Sequence, residues 1–518
     1  AEASALIRSQ IAQLDGLAGE GVAELSRFYA LRGDAPAWDE PDRLERLAAA
    51  LETLREDGLE PADYEVALLR HLARENGLGE RVFRDVLATR ALLRALGDLA
   101  YGRLDPARVE PLWHAPAVAT VTPDRAALVE LAQAGAVDPL AALERARPAL
   151  PQYRVLREAL ARMRAAEAGG GWPTVEAGPS LRPGALDRRV PALRDRLRAE
   201  DYDTGTGGGE HYQGALVEAV RAFQHDNRLA ADGVVGAATL AALNVPAATR
   251  VGQLRANLER LRWFAREHEA GFVLVDVAGA AIAYFRNGEP VWRTRAQVGR
   301  PERATPLLKS EITHFTFNPT WTVPPTILRE DKLPLIRRDP SYLERNRMRV
   351  IGPDGRTIPP AEVDWSRPGG VMLRQDAGPD NALGQVAIRF PNPFAVYLHD
   401  TPSRGLFARE QRTTSSGCVR VENALELVGL LSADGGGPDA DTVATILASR
   451  RTRHVSLARP VPILIAYWTA AVGSDGRVVF RPDIYGLDAV LVQALAAPRQ
   501  ALSAQLRAPP AGVAMRSA

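Results

Sequence analysis

At 518 residues the chain is longer than one hydrophobic core supports, which predicts roughly two to four domains. Hydrophobic residues make up 46% and charged residues 25%, a balance that describes a globular protein. A net charge of +1 excludes a global field that would recruit nucleic acid or an anionic membrane surface. The single cysteine, Cys418, excludes an intrachain disulfide and a cysteine-based zinc site. Its fate is open at this level, because a lone cysteine is commonly just a small buried hydrophobe.

No apolar run reaches the roughly 18 residues needed to span a bilayer. The chain opens at Ala1-Glu2-Ala3-Ser4, with no initiator Met and no apolar leader, so the sequence reads as processed or trimmed.

Residues 1–170 read as a helical scaffold domain. Leu44, Leu47, Leu51 and Leu54 recur at helical spacing and predict one buried stripe. Further helical patterns cover Tyr64–Glu75, Arg81–Leu99, Arg125–Ala134 and Tyr153–Ala168. A linker follows at Gly169-Gly170-Gly171-Trp172-Pro173. Residues 178–246 then form a compact unit. Leu186, Val190, Leu193 and Leu197 make one stripe; Leu216, Val220 and Phe223 make a second. With Asp232-Gly233-Val234-Val235-Gly236 and Thr239-Leu240-x-x-Leu243-Asn244, this unit resembles the small three-helix peptidoglycan-binding domain.

The pattern turns to strands from Phe272. Phe272–Val277, Ala281–Phe285 and Val291–Val298 are β-like, and Asn287-Gly288 between the last two is a strong hairpin signal. Val386–Phe390, Phe394–Leu398, Pro462–Val472 and Val478–Phe480 continue the pattern. The Pro- and Arg-rich stretch between Asn318 and Gln375 is longer than an ordinary loop and reads as a functional insertion or small subdomain. The fold expected is multidomain α+β: the scaffold, the small helical unit, a mostly β catalytic domain over 250–497 with a 320–374 insertion, and a disordered tail over 498–518.

The chemistry concentrates around the only cysteine. Alternation along the strand ending at His399 sets Tyr397 and His399 on one face. His399 precedes Cys418 by 19 positions, enough for a loop that returns a second strand beside the first. An imidazole beside a thiol makes a thiolate nucleophile available and can later protonate a leaving amine. Gly417 leaves the backbone uncrowded, and the N–H groups of Gly417 and Cys418 are candidates for an oxyanion hole. Asn423 reads as the N-cap of the helix that follows. Asp400 follows His399 directly and would point to the opposite face, so a backbone carbonyl is the expected partner for the second ring nitrogen. The eight histidines show no metal-ligand spacing with carboxylates, and neither metal nor cofactor is expected.

His399 with Ser415-Ser416-Gly417-Cys418-Val419-Arg420 resembles the signature of L,D-transpeptidases with the YkuD-type catalytic domain. Ser416 stands where the commoner signature has His, as in the multidomain YcbB-like (LdtD-type) branch. The resemblance extends to Asn318-Pro319-Thr320-Trp321-Thr322-Val323-Pro324-Pro325, Gly378-Pro379-x-Asn381-x-Leu383-Gly384 and Phe480-Arg481-x-Asp483-Ile484-Tyr485-Gly486. It implies that Cys418 attacks the carbonyl between meso-diaminopimelate and the terminal D-Ala of a tetrapeptide stem. An acceptor diaminopimelate amine then resolves the thioester into a 3→3 cross-link. It also implies carbapenem acylation of the thiol, a lid formed by the insertion, and a periplasmic Gram-negative setting reached by a signal no longer present. Catalytic residues would be Cys418, His399 and Gly417. Tyr397, Ser415, Ser416, Arg420, Trp321 and Asn381 would contact substrate, the stem peptides. Ser415 and Ser416 equally suit a tight turn, Asn381 loop geometry, Arg420 a brace on backbone carbonyls and Tyr397 an ordinary strand position. Competing expectations are an L,D-carboxypeptidase or amidase of the same fold, and a peptidoglycan-binding scaffold without catalysis. A papain-type protease is disfavoured, because there the Cys precedes the His.

Overall fold

The computed structural model describes residues 2–15, 21–114, 124–264, 271–339 and 341–506. Helices account for the first part of the chain, where apolar stripes at helical period find one another. The long helix Leu78–Tyr101 is buried on nearly all sides and packs against Glu2–Asp15, Val22–Ala30, Pro41–Glu52 and Arg125–Gly135. The expected stripe holds: Leu44, Leu47, Leu51 and Leu54 are all in this core. Asp124 and Asp138 cap their helices by accepting from the N–H of Ala127 at 3.0 Å and Ala141 at 3.1 Å.

The small unit is built from helices Val190–Arg198, Ala215–Asp226 and Ala237–Leu243 around Val190, Leu193, Leu197, Val220 and Phe223. Leu186, expected in that stripe, lies before the helix and is 66% exposed. The helix starts only at Val190, so Leu186 has no helical neighbours to join.

The strands in chain order are β1 (Trp113–His114), β2 (Gly271–Asp276), β3 (Ala281–Arg286), β4 (Glu289–Gly299), β5 (Leu307–Phe317), β6 (Trp321–Thr322), β7 (Met348–Ile351) and β8 (Thr357–Ile358). They continue with β9 (Met372–Gln375), β10 (Val386–Arg389), β11 (Leu398–His399), β12 (Thr413–Ser415), β13 (Val419–Val421), β14 (Arg453–Ala466), β15 (Ala470–Val472) and β16 (Val478–Phe480). The main sheet runs β1-β5-β10-β11-β13-β4-β3-β2-β14, and a further β14–β5 pairing closes it on itself. Its interior is filled by Val273, Val275, Ile282, Phe315, Ile388, Leu398, Val419 and Ile465. The β3–β4 turn has Asn287 at φ 51° and Gly288 at φ 82°, the two left-handed residues a type I′ hairpin needs. β1, which lies between the scaffold helices Pro106–Val109 and Arg125–Gly135, pairs in parallel with β5 and so ties that region to the main sheet.

The insertion has its own four-stranded sheet, β6-β9-β7-β8, over a small core of Val323, Ile336, Leu343, Val350 and Leu373. The helix Ala247–Phe264 joins the parts. Arg262 donates to the Asp57 carbonyl (2.9 Å) and to Tyr153 Oη (2.8 Å) in the scaffold. Arg250 donates to Glu200 (3.0 Å), Asn257 to Thr469 (2.8 Å) and Arg260 to Asp488 (2.6 Å).

Three local expectations are corrected. Phe394–Leu398 is not a strand except at Leu398, because Ala395 has φ 53° and Asn392 organises a turn by accepting from the N–H of Phe394 and Val396. Asn423 stands at the N-cap of Ala424–Gly435 as expected, but it takes φ 58° and its side chain makes no capping bond. The chain just after Pro498 is ordered: Leu502 and Leu506 join the scaffold core, and Arg90 donates to the Leu502 carbonyl at 2.8 Å. Residues 507–518 of the expected tail lie outside the described residues. Among the described residues no helix is long and apolar enough to cross a membrane.

Candidate active site

β11 and β13 run in parallel, with Leu398 opposite Val419 and His399 opposite Arg420. This register brings the end of one strand, carrying Tyr397 and His399, beside the turn that carries Cys418. Tyr397 and His399 remain on one side despite the irregular approach, their ring centroids 5.7 Å apart.

His399 is 4% exposed and its Nδ1 lies 2.5 Å from the Asp400 carbonyl oxygen. A carbonyl can only accept, so Nδ1 carries the proton and Nε2 is left as the basic nitrogen. Burial, reinforced by the Arg420 charge, pushes the imidazole down to about 3. The Asp400 carboxylate turns away, as strand geometry requires, and accepts from the Gln385 N–H at 2.9 Å.

Cys418 is half-buried, and its thiol donates weakly to the Ala395 carbonyl at 3.8 Å. Burial raises its pKa, while the Tyr397 backbone N–H and the charges of Arg389 and Arg420 pull it down. A raised thiol and a lowered imidazole both favour the neutral pair, from which the imidazole makes the thiolate available as the sequence reading expects.

Arg420 donates through Nη1 to Gln297 Oε1 at 3.0 Å, and its Nε is buried without a partner among the described residues. Ser416 Oγ accepts from Arg303 at 3.0 Å. The same guanidinium reaches Asp331 at 2.7 Å and Glu330 at 2.5 Å, both in the insertion.

Ser415 and Asn381, for which substrate contact and turn geometry are both open in the sequence, serve the backbone. Ser415 is 2% exposed; its hydroxyl donates to the Cys418 carbonyl at 2.5 Å and accepts from the Gly417 N–H at 3.2 Å. That second bond also withdraws the Gly417 N–H from the expected oxyanion pair, whereas the Cys418 N–H has no partner among the described residues. Gly417 itself has φ 112°, a conformation that favours glycine. Asn381 is fully buried, and its amide braces the turn through the Asp376 carbonyl (3.0 Å) and the Leu383 N–H (2.8 Å). Trp321 packs against the core of the insertion with the Lys332 ammonium 5.5 Å from its ring centroid.

Arg389 was not anticipated. Its guanidinium carbon lies 3.8 Å from the Tyr397 ring centroid. The β10–β11 register, extended one step beyond the Ile388–Leu398 pair, sets Arg389 opposite Tyr397, a relation that no local sequence pattern carries. Among the described residues no cluster of His, Cys, Asp and Glu could hold a metal.

Residues 270–461, which contain every one of these groups, match the model of the L,D-transpeptidase catalytic domain, YkuD. Residues 187–243 match the "Putative peptidoglycan binding domain" and residues 23–160 the "Scaffold domain". The chain thus carries a YkuD-type L,D-transpeptidase catalytic domain together with a peptidoglycan-binding domain, in a multidomain α+β fold. A relative described as "Putative L,D-transpeptidase" from Haemophilus influenzae is 35% identical over 239 residues, 46% of this chain and 48% of that protein. The chain therefore spans about half the length of the curated relative it matches. Among solved structures, an L,D-transpeptidase from Xylanimonas cellulosilytica is 17% identical with a TM-score of 0.19, covering 56% of this chain and 99% of that one. An L,D-transpeptidase from Stackebrandtia nassauensis is 12% identical with a TM-score of 0.21, covering 57% and 96%. Scores this low do not bear on the site.

Proposed function

We propose that the chain is a periplasmic peptidoglycan L,D-transpeptidase of the YcbB-like branch, with Cys418 as nucleophile, His399 as general base and acid, and the Cys418 N–H as oxyanion donor. The observation that carries this reading is the locked imidazole: Nδ1–H is spent on the Asp400 carbonyl, leaving a basic Nε2 on the strand beside the thiol. Residues 1–170 act as scaffold, 178–246 as the peptidoglycan-binding unit, 250–497 as the catalytic domain and 320–374 as its lid.

In the reaction the thiol leaves the Ala395 carbonyl and passes its proton to Nε2 as Sγ attacks the carbonyl between diaminopimelate and D-Ala. The S–C bond forms while the carbonyl π pair moves to oxygen, and the Cys418 N–H donates to the developing oxyanion. Collapse breaks the C–N bond, and D-Ala departs with the proton held by the imidazolium. The side-chain amine of an acceptor diaminopimelate then attacks the thioester, gives its proton to Nε2, and the thiol re-forms on release of the 3→3 cross-linked product. Arg420, whose Nε is unpaired, is the candidate partner for a stem carboxylate, and Tyr397 forms a wall. Closing the insertion over the thioester would exclude water and favour the amine. A carbapenem would acylate the same thiol.

The test is incubation with a disaccharide-tetrapeptide carrying diaminopimelate, followed by mass spectrometry of protein and products, with Cys418→Ala as control. D-Ala release with cross-linked dimer, absent from the control, supports the transpeptidase. Tripeptide without dimer identifies an L,D-carboxypeptidase instead. No product and no carbapenem adduct leaves a binding scaffold.

A further inference from the structure

The sequence motif around Asp483-Ile484-Tyr485-Gly486 has no part in the chemistry described above, yet it ends within two hydrogen bonds of the nucleophile. Thr305 is completely buried between this motif and the cysteine turn. Its Oγ1 accepts from the Gly299 N–H at 2.9 Å and lies 2.8 Å from the Gly417 carbonyl oxygen. Because an amide can only donate and a carbonyl only accept, the hydroxyl proton must lie on the bond to Gly417. Tyr485 completes a reciprocal arrangement: its Oη accepts from the Thr305 N–H at 3.1 Å and donates to the Gly299 carbonyl at 2.6 Å. Tyr485 is held in turn by stacking on Tyr467, with ring centroids 5.5 Å apart, and by donating its N–H to Tyr467 Oη at 3.0 Å. Tyr467 Oη donates to Asp483 at 2.6 Å.

The carbonyl that Thr305 grips belongs to the peptide linking Gly417 to Cys418. In a trans peptide C=O and N–H point in opposite directions within one rigid plane. Holding the carbonyl against buried Thr305 therefore fixes the Cys418 N–H facing away from it. Ser415 grips the next carbonyl, that of Cys418, at 2.5 Å, but nothing except Thr305 holds the Gly417 carbonyl among the described residues. Gly417, at φ 112°, has no side chain to resist rotation of that plane.

We propose that Thr305 and Tyr485 are positioning residues that orient the Gly417–Cys418 peptide so that its N–H meets the oxyanion formed when Cys418 attacks an acyl substrate. The inference rests on the transpeptidase reading and deepens it. The two residues touch no substrate; they act through the peptide plane. Stabilisation by a backbone donor is lost steeply when the donor is misaimed, because the charge it serves exists only in the transition state.

The test compares two reactions of the same thiol in the full chain. Alkylation of Cys418 by iodoacetamide needs a thiolate but no oxyanion donor. Acylation by imipenem, followed as an intact-mass shift, needs both. Thr305→Val keeps the shape and removes the hydroxyl; acylation is expected to fall about tenfold to a hundredfold with alkylation changed by less than about twofold. Thr305→Ser should restore most of the acylation rate, and Tyr485→Phe, which keeps the stacked ring, should lower acylation selectively as well. Unchanged acylation in Thr305→Val and Tyr485→Phe overturns the proposal, as do equal losses of acylation and alkylation in both variants. A wild-type protein that is alkylated but never acylated overturns the transpeptidase reading itself, and this inference with it.

Discussion

Arg389 sits over Tyr397, its guanidinium carbon 3.8 Å from the ring centroid. The charge is one of the influences that lower the Cys418 pKa against burial. Arg389→Met should therefore move the midpoint of the iodoacetamide pH profile upward and slow alkylation at pH 7 by about three- to tenfold. Arg389→Lys, which keeps the charge but not the planar stack, should fall between the two. An unchanged midpoint in Arg389→Met would show that the arginine only packs.

His399 is held neutral by burial, down to about 3, against an unfolded value near 6.5. In the window between those values the unfolded chain binds the proton and the folded one does not. This contribution to stability is present above about pH 6.5 and is lost as pH falls toward 3. Denaturant unfolding at pH 7 and pH 4.5 should show a smaller loss on acidification in His399→Gln than in the wild type.

Glu110 behaves in the opposite sense. Burial raises it to about 7, although Arg260 lies 3.5 Å away and pulls it down. Here the folded state holds the proton that the unfolded state releases above about 4.5. The contribution is present below that value and is lost as pH rises through 7, on the order of 3 kcal/mol. Glu110→Gln should flatten the change in unfolding free energy between pH 5 and pH 8. Because its window overlaps that of His399 with the reverse sign, the His399 experiment is cleanest in a Glu110→Gln background.

Arg303 Nη1 donates to both Ser416 Oγ and Asp331, and Nη2 donates to Asp331 and Glu330 in the insertion. Arg303→Ala should accelerate limited proteolysis within residues 328–345 and slow acylation by imipenem several-fold, with Arg303→Lys partly restoring both. Proteolysis that rises with no change in acylation would separate the insertion from the cysteine turn.

Where a conformation is fixed by neighbouring residues, the chain announces it. Asn287-Gly288 specified its hairpin because only such residues accept two positive φ values in succession. The His399-to-Cys418 spacing and the Ser-Ser-Gly turn were legible for the same reason. Ala395 itself gives no sign of its left-handed backbone; the sign stood three residues earlier in Asn392-Pro393, whose Asn392 side chain accepts from the N–H of Phe394 and Val396. Contacts made across long separations were equally silent: β1 against β5, Leu502 within the scaffold core, Tyr485 on Thr305. Ser415 and Asn381 were recognised as belonging near the site, but a sequence cannot say whether a polar side chain faces a ligand or the backbone beside it.

The helix Ala247–Phe264 bears on how such a protein can change over generations. Arg250, Arg260 and Arg262 are each at most 4% exposed, and their partners lie in different parts of the fold: Glu200, Asp488, and the Asp57 carbonyl with Tyr153. Removing the part that supplies Glu200 or Asp488 takes away the carboxylate paired with Arg250 or Arg260. Removing the scaffold takes two of Arg262's hydrogen bonds and leaves it Glu259 of its own helix. Shuffling by simple deletion or fusion at the flanking linkers is thus closed to this architecture. A descendant that discards its scaffold must first rewrite the middle of this one helix.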